Sequence, residues 1–393
     1  MVPAQDKLSG MPLKPYTFVF IATMNGDSWG GSEQWWYTMA LYLSKAGHHV
    51  TCCYFNWPGK KESITNALHD AGCTTILLPN PKYSKNPIQK ILLNIKARKI
   101  ITASVTQNPD LVIISLGGYE DFTHSPFHNL LPFLKKFIIV AHNYNESAKL
   151  SSSRKRSIEN WYNKSALNLL ASEKINTALQ KVAGFSIPNA VTLINPINIT
   201  LEQQPFAWPS LTKNGNYQWV MMAQLDKRRK AQDLLIKALA SNKWKDRNWE
   251  LALYGEGADF EKLQQLIETL QLSNKIKLMG KTNAVKNVLA QAHLLLQITP
   301  IDAMPLSVTE AMSMARPCVI SAVGDMPVWI TENNNGFIAP LVSVASIDTV
   351  LEKAWQQKDQ WQLMGEAAFH TFKSKYPQPY EAHFEQMFID IIN

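Results

Sequence analysis

The sequence predicts a two-domain α/β protein in which each domain is built on a parallel sheet. The chain has 393 residues, which is too long for one ordinary hydrophobic core. Short apolar runs of strand length alternate with longer amphipathic segments, which is the pattern of repeated βαβ units. A hydrophobic content of 46% supplies residues for two cores. We place the first domain at residues 1–205, the second at 206–370, and a C-terminal helical segment at 371–393.

The chain opens with a predicted strand, helix and strand at residues 16–23, 34–45 and 49–55. Gly30 and Gly31 stand just before the helix in a Gly-rich loop. Adjacent glycines let a ligand approach the backbone closely, although they also suit a simple tight turn. The Gly-x-Gly-x-x-Gly fingerprint is absent, which argues against a nicotinamide enzyme.

Further strands are predicted at residues 75–78, 111–115, 137–142, 168–172 and 191–195, with helices between them. His142 ends one of these strands. The carboxyl end of a strand is where open α/β sheets bind ligands, so His142 is a candidate site residue, with a purely structural histidine as the alternative.

Residues 87–101 predict a basic helix with an apolar stripe formed by Ile88, Ile91, Leu92 and Ile95. The first interpretation is a surface helix that packs this stripe on the sheet. The alternative is a helix that lies on a membrane surface.

The net charge of +8 is unevenly distributed along the chain. Residues 1–200 carry 20 Lys and Arg against 11 Asp and Glu, whereas residues 201–393 carry 19 against 20. The first half therefore suits an anionic partner, such as a membrane surface or a phosphorylated acceptor. No zinc-finger spacing or RNA-binding motif supports nucleic acid.

Other features limit the compartment and the chemistry. No apolar run reaches the ~20 residues of a membrane span, and the N-terminus lacks the apolar core of a signal peptide. The four cysteines have no CxxC spacing and are expected to be reduced core residues. We therefore expect a cytoplasmic protein, with peripheral membrane attachment as a further expectation. No pair of histidines has metal-ligand spacing on a helix, so we expect no metal.

The second half begins with a predicted strand at 217–223, a basic run from Lys227 to Lys230, and a helix at 231–240. Basic residues at a helix N-terminus oppose the helix dipole, and such a violation is expected at a functional site. Basic side chains and helix amides together attract a diphosphate, and a solvated charge run is the alternative. A strand that enters a turn within residues 249–257, a strand at 275–279, and helices at 260–270 and 284–292 follow.

The stretch from Gln297 to Pro327 carries the strongest signal. It predicts a strand at 293–298, a helix whose first residue is Pro305, and another strand at 318–322. Asp302 lies in the loop, and Glu310 follows eight positions later inside the helix. An ordinary amphipathic helix with a loop cap and a solvated glutamate is the alternative.

This stretch resembles the signature of the retaining glycosyltransferases of the GT-B fold, in the group 1 family. That signature is an acidic residue, seven residues and a glutamate, usually with Gly and Pro after the first acid. This chain has Asp302 where Glu is usual and Ala303 where Gly is usual. The family's Gly-Arg-Leu segment corresponds to Ala223-Gln224-Leu225 here, while its lysine six residues after the arginine is kept as Lys230.

The resemblance implies two Rossmann-like domains facing across a cleft, the second binding a nucleoside-diphosphate sugar and the C-terminal helix crossing back to the first. It implies that Lys230 and the amides near Pro305 hold the diphosphate, that Glu310 binds the ribose, and that Asp302 and His142 face the sugar. His124 and His128 are weaker candidates for acceptor contacts. The residues assigned to donor binding are Gly30, Gly31, Gln224, Arg229, Lys230, Gly255, Met304, Pro305, Leu306 and Glu310, and those assigned to catalysis are His142, Lys230, Asp302 and Glu310.

The implied function is a retaining glycosyltransferase in cell-surface polysaccharide or glycolipid biosynthesis. It would move a sugar from a UDP- or GDP-linked donor to a glycan or lipid-linked acceptor, without another cofactor. Two alternatives stay open. One is a sugar-nucleotide epimerase on the same fold, which needs no acceptor. The other is a catalytically degenerate nucleotide-sugar-binding protein, which the residues at 302 and 224 favour.

Overall fold

The computed structural model describes residues 14–25, 31–57 and 62–393, and all elements given below lie within those ranges. The first sheet has the strand order β3-β2-β1-β4-β5-β6-β7 and the second the order β10-β9-β8-β11-β12-β13, with every pairing parallel. The first sheet consists of β1 (Thr17–Ala22), β2 (His49–Phe55), β3 (Thr74–Leu78), β4 (Leu111–Gly118), β5 (Phe137–Asn143), β6 (Leu167–Leu170) and β7 (Ala190–Thr192). The second consists of β8 (Tyr217–Met222), β9 (Trp249–Tyr254), β10 (Ile276–Gly280), β11 (Leu294–Gln297), β12 (Cys318–Ser321) and β13 (Gly336–Ala339).

Helices connect these parallel strands. Those of the first half are α1 (Gly31–Lys45), α2 (Glu62–Asp70), α3 (Pro87–Thr106), α4 (Ser152–Lys164) and α5 (Lys174–Ala183). Those of the second half are α6 (Lys227–Lys230), α7 (Gln232–Ala238), α8 (Asn242–Lys245), α9 (Phe260–Thr269), α10 (Val285–Gln291), α11 (Leu306–Ser313), α12 (Met326–Trp329), α13 (Val344–Gln356), α14 (Trp361–Lys375) and α15 (Tyr380–Ile392). Within the described ranges, no helix combines the length and apolar character that a membrane-spanning segment requires.

Each sheet reverses its strand order once, between β1 and β4 in the first sheet and between β8 and β11 in the second. Open α/β sheets bind ligands beyond the carboxyl ends of the strands at such a reversal. The predicted fold class, two Rossmann-like domains facing across a cleft, is confirmed. The predicted domain boundaries stay a prediction, but the last strand of the first sheet ends at Thr192 and the next begins at Tyr217.

The C-terminal helix α15 packs on the first domain. Phe384 and Phe388 contact the Trp35 ring edge-on, with ring centroids 5.7 and 6.3 Å apart. Glu385 accepts a hydrogen bond from the Tyr42 hydroxyl at 2.9 Å, and its other oxygen lies 2.9 Å from Nε2 of His48. The last helix therefore contacts α1 and the residue just before β2.

Helix α3 differs from its first interpretation. Its buried residues are Ala97, Ile101, Ser104 and Val105, all in its C-terminal half. The predicted apolar stripe in its N-terminal half is exposed instead of packed on the sheet. The reason is that only the later turns of this 20-residue helix lie against the sheet.

The basic run in the second half also differs from the prediction. Lys227–Lys230 form a one-turn helix of their own, which ends at Ala231 in the left-handed region with φ of +47°. The Asp226 carboxylate accepts hydrogen bonds from two amides of this turn, at 3.0 and 3.3 Å. The basic residues are therefore not at the N-terminus of the following helix α7, and an acidic cap compensates their helix dipole.

Candidate active site

A cleft of about 890 Å³ lies between the carboxyl ends of the two sheets. Asn25 after β1 and Gly117 in β4 line it from the first sheet, and Gln224 after β8 and Gln297 in β11 line it from the second. The two order reversals therefore face each other across one cavity.

The N-terminus of α11 lies in the second-domain wall of this cleft. Pro305 is the N-cap residue and not the first helical residue as predicted, and no side chain caps the helix. Met304, Leu306 and Ser307 also line the cleft. Because the first amides of a helix have no intrahelical partner, this wall offers N–H donors and the positive end of a helix dipole to an anion.

Lys230 and Asp302 form an ion pair in the same wall. Each side chain has 16% of its surface exposed, so the pair is largely removed from solvent. Sequence reasoning placed Lys230 on a diphosphate and Asp302 on a sugar, and it did not foresee that the two bind each other. An ammonium group has three N–H donors, so Lys230 can hold Asp302 and still offer donors to a ligand oxygen.

Glu310 lies inside α11, and its side chain faces the cleft almost fully buried. One carboxylate oxygen accepts two hydrogen bonds from Asn198, from the backbone N–H at 3.1 Å and from the side-chain amide at 2.9 Å. Burial raises the pKa of Glu310, and the two bonds from Asn198 partly oppose that shift. Asn198 belongs to the segment between the two sheets, so Glu310 also fixes the junction of the domains.

His142 lies near the end of β5 and lines the cleft. Its Nε2 is 3.3 Å from the hydroxyl of Ser115, and its buried Nδ1 has no hydrogen-bond partner among the described residues. Burial lowers the pKa of His142 to about 3, so the imidazole is neutral at pH 7. A neutral imidazole donates one hydrogen bond from its protonated nitrogen and accepts one at the other, which suits a hydroxyl group better than a phosphate.

Two glycines shape the second-domain wall through close backbone contacts. Gly255 has φ of +149°, and a Cβ there would lie 1.9 Å from the carbonyl oxygen of Ala223, next to Gln224. Gly324 has φ of +57°, and a Cβ there would lie 2.1 Å from the carbonyl oxygen of Ala303. Both positions exclude side chains because the loops that carry Gln224 and Asp302 pass directly over them.

The other predicted site residues have mixed positions. Gln224, Arg229, Gly255 and Gly31 line the cleft, and a Cβ on Gly31 would lie 3.4 Å from a methyl group of Leu306 across it. Gly30 lies outside the described residues. His124 lines the cleft, while His128 is not among its lining residues. The predicted set therefore largely converges, although its individual roles stay predictions.

Sequence reasoning missed the polar bridges between the domains. The Asp325 carboxylate accepts hydrogen bonds from the Ser172 hydroxyl at 2.7 Å and from the Glu173 amide at 2.9 Å. The Tyr144 hydroxyl donates to the backbone carbonyl of Asp302 at 3.3 Å. These contacts join residues more than 150 positions apart, and no local pattern in the sequence indicates them.

A metal site needs several ligating side chains in one place. In the part of the chain that the structure describes, His, Cys, Asp and Glu side chains form no group of three or more that could hold a metal ion. The expectation that the protein needs no metal stays a prediction.

Comparison with known proteins agrees with this geometry. Residues 203–371 match the family model described as glycosyl transferases group 1. This part of the chain is similar to the members of that family. The match covers α11, the Lys230–Asp302 pair and Glu310, and it confirms the resemblance found in the sequence.

Two curated relatives each align with about a third of this chain. N-acetyl-alpha-D-glucosaminyl L-malate synthase of Bacillus anthracis is 22% identical over 144 residues, which are 36% of this chain and 38% of that protein. A phosphatidylinositol N-acetylglucosaminyltransferase component of Homo sapiens is 32% identical over 130 residues, which are 32% of this chain and 26% of that protein. The chain therefore matches well under half the length of these relatives.

Solved structures match over nearly the whole chain. A glycosyltransferase of Rickettsia africae has a TM-score of 0.71 at 17% identity and covers 96% of this chain and 99% of its own. HepE of Anabaena in complex with UDP-glucose has a TM-score of 0.70 at 14% identity and covers 95% and 99%. At these identities the likenesses show the fold alone, which is the two-domain GT-B fold over nearly the whole chain.

Proposed function

We propose that the protein is a retaining glycosyltransferase that moves a sugar from a nucleoside-diphosphate sugar to a glycan or lipid-linked acceptor. The observation that carries the proposal is the convergence of Lys230, Asp302 and the uncapped N-terminus of α11 on one wall of the interdomain cleft. A cation and free helix amides together suit a diphosphate, and the carboxylates suit the hydroxyl groups on either side of it.

The chemistry follows from these positions. Departure of the diphosphate leaves an oxocarbenium-like sugar, so the protein accelerates the reaction chiefly by stabilising negative charge on the leaving group. Lys230 and the α11 amides supply that stabilisation in the proposal. Glu310 accepts hydrogen bonds from the ribose, Asp302 from the sugar, and neutral His142 contacts a sugar hydroxyl.

The donor is a UDP- or GDP-linked sugar, and the names of the relatives make UDP-N-acetylglucosamine the first candidate. Both curated relatives are named for N-acetylglucosaminyl transfer or synthesis, and the HepE complex holds UDP-glucose. The basic first half, with 20 Lys and Arg against 11 Asp and Glu, suits an anionic or lipid-phosphate acceptor. Cell-surface polysaccharide or glycolipid synthesis is the corresponding process.

A thermal-shift screen of UDP-, GDP- and ADP-sugars tests donor binding, since a ligand at about 100 times its Kd stabilises the folded state by about 2.7 kcal/mol. A radiolabelled donor then tests transfer to membrane and polysaccharide fractions, and the anomeric configuration of the product tests retention. No shift with any nucleotide sugar would refute the proposal. Conversion of the donor without an acceptor would indicate an epimerase, and binding without transfer a degenerate binding protein.

Asp302→Ala tests the sugar contact within this proposal. Asp is shorter than Glu by one carbon–carbon bond, about 1.5 Å. The loop that carries Asp302 is held in place by the Tyr144 bond and by the amide of Asp325, which donates to the Ala303 carbonyl at 2.8 Å. We expect Asp302→Ala to abolish most transfer in a folded protein and Asp302→Glu to raise it no more than a few-fold. Full activity in Asp302→Ala would refute the sugar contact.

A further inference from the structure

The N-terminal half of α3 presents an apolar stripe to solvent. Ile88, Ile91, Leu92 and Ile95 have 68%, 60%, 60% and 43% of their surface exposed. Their spacing places all four on one face of the helix. Contiguous exposed apolar patches are uncommon on soluble proteins and mark interaction surfaces, whereas single exposed apolar residues need no explanation.

The charge around this stripe has one sign. Residues 71–109 contain no Asp or Glu and six basic residues, which are Lys82, Lys85, Lys90, Lys96, Arg98 and Lys99. Of these, the lysines are exposed. At 3.6 residues per turn, Lys96 and Lys99 lie beside the stripe, whereas Lys90 lies on the far side of the helix. An apolar stripe with lysines beside it is the arrangement of helices that lie in the interface of an anionic bilayer.

We propose that this face of α3 docks on an anionic lipid bilayer, with the four apolar side chains in the headgroup region and the lysines on lipid phosphates. A second copy of the chain fits the surface less well. A symmetric dimer through α3 would place each basic face against the same basic face of its partner, and like charges at such an interface repel.

The segment that leads into α3 contacts the first-domain side of the cleft. Helix α3 begins a few residues after the carboxyl end of β3. The carboxyl ends of the strands are the side of the sheet that faces the cavity. Asn80, which caps the short turn before α3, donates its side-chain amide to the carbonyl of Asn25 at 2.8 Å. Asn25 lines the cleft, so a bilayer under α3 would lie next to the first-domain side of the cavity. Docking rests on α3 alone and can be measured without any transferase assay.

Vesicle co-sedimentation tests the proposal with the full chain. The wild type should bind phosphatidylcholine vesicles that contain about 30 mol% phosphatidylglycerol and not pure phosphatidylcholine vesicles. Binding should weaken strongly between about 0.1 M and 0.5 M salt, because the Debye length falls with ionic strength. No binding to anionic vesicles, or equal binding to both vesicle types, would overturn the proposal.

The stripe is tested by Ile88→Ser, Ile91→Ser and Leu92→Ser in one variant. The matched control combines Val328→Ser, Leu341→Ser and Leu363→Ser, whose side chains are 61%, 67% and 61% exposed in the second half. We expect the stripe variant to lose at least about tenfold in vesicle binding, from lost apolar insertion, and the control to bind like the wild type.

Melting temperatures of both variants should match the wild type because all six residues are exposed. Equal loss in stripe variant and control would overturn the role of α3. Sedimentation velocity tests whether a second copy of the chain binds this surface instead. If the wild type is a dimer and the stripe variant is a monomer, the surface serves self-association, and membrane docking is overturned.

Discussion

Mutation of a site residue usually weakens ligand binding. Because Asp302 pairs with Lys230, we expect the opposite for one substitution at Asp302. If Lys230 holds a donor diphosphate, the Asp302 carboxylate both occupies one of its donors and repels the incoming anion. Two unit charges about 4 Å apart interact by about 4 kcal/mol at an effective dielectric constant of 20, before screening by salt and greater separation. If screening and the greater separation leave about a third of that energy, the repulsion is ~1.4 kcal/mol. That energy corresponds to about a tenfold change in Kd. We therefore expect Asp302→Asn to bind a free nucleoside diphosphate about tenfold more tightly while transferring sugar poorly.

Titration calorimetry with UDP, or with the diphosphate that the donor screen selects, measures this effect. Lys230→Ala should weaken binding by about 1.5–3 kcal/mol, the range for hydrogen bonds to charged groups. In the Lys230→Ala background, Asp302→Asn should still remove the repulsion between the carboxylate and the diphosphate but can no longer release an ammonium. A double-mutant cycle separates these two parts of the gain. Weaker diphosphate binding in Asp302→Asn, or unchanged binding in Lys230→Ala, would refute the reasoning.

The remaining predictions concern stability. Burial raises the pKa of Glu310 above its ordinary value of 4.5, so the folded state binds more protons than the unfolded chain between the two pKa values and loses stability as pH rises through that window. Because Glu310→Gln does not titrate, denaturant unfolding should show it more stable than the wild type at pH 7. The difference should shrink as pH falls from the raised pKa of Glu310 towards 4.5 and be gone below that value. Gly255→Ala should cost more than about 2 kcal/mol, from the 1.9 Å approach to the Ala223 carbonyl. The control is Gly280→Ala, where φ is +70° but the space around the added Cβ is open. It should lower the free energy of unfolding by only about 1–2 kcal/mol. Equal losses of stability in the two variants would refute the steric argument. Arg316 is fully buried and donates to the carbonyls of Leu289, Ala290 and Ala207. Arg316→Met would leave these buried acceptors without their donor and should cost about 1–3 kcal/mol in equilibrium unfolding, and an unchanged stability would count against that role.

The fold could be predicted from the sequence because its signals are local. Most strands are short apolar runs, and β2 at His49–Phe55 matches its prediction at both ends. Strand β13 at Gly336–Ala339 was not predicted, because four residues that begin with a glycine carry little strand signal. The α3 stripe shows what hydrophobic periodicity cannot predict. An apolar face identifies a helix, but it does not say whether the rest of the protein or another surface covers that face.

The candidate site was predicted as a set of residues but not as a set of contacts. Asp302 and Glu310 could be found because eight positions in one segment separate them. Their partners could not, since Lys230 is 72 positions from Asp302 and Asn198 is 112 from Glu310. These partners depend on how two sheets face each other, and hydrophobic periodicity carries no information on that arrangement.

Three features of the second-domain wall each oppose folding stability, and they occur together. A carboxylate is buried at Glu310 with a raised pKa, an ion pair is largely desolvated at Lys230 and Asp302, and α11 begins without a side-chain cap at Pro305. Simple substitutions would relieve each cost, such as Gln at 310 or Ser at 305. A protein that only bound a nucleotide sugar would need the anion site and the ribose contact, but the Asp302 carboxylate competes with the diphosphate for Lys230 and would weaken binding. The presence of all three features on one wall, facing a neutral His142 across the cleft, is therefore our reason for proposing an active transferase over a degenerate binding protein.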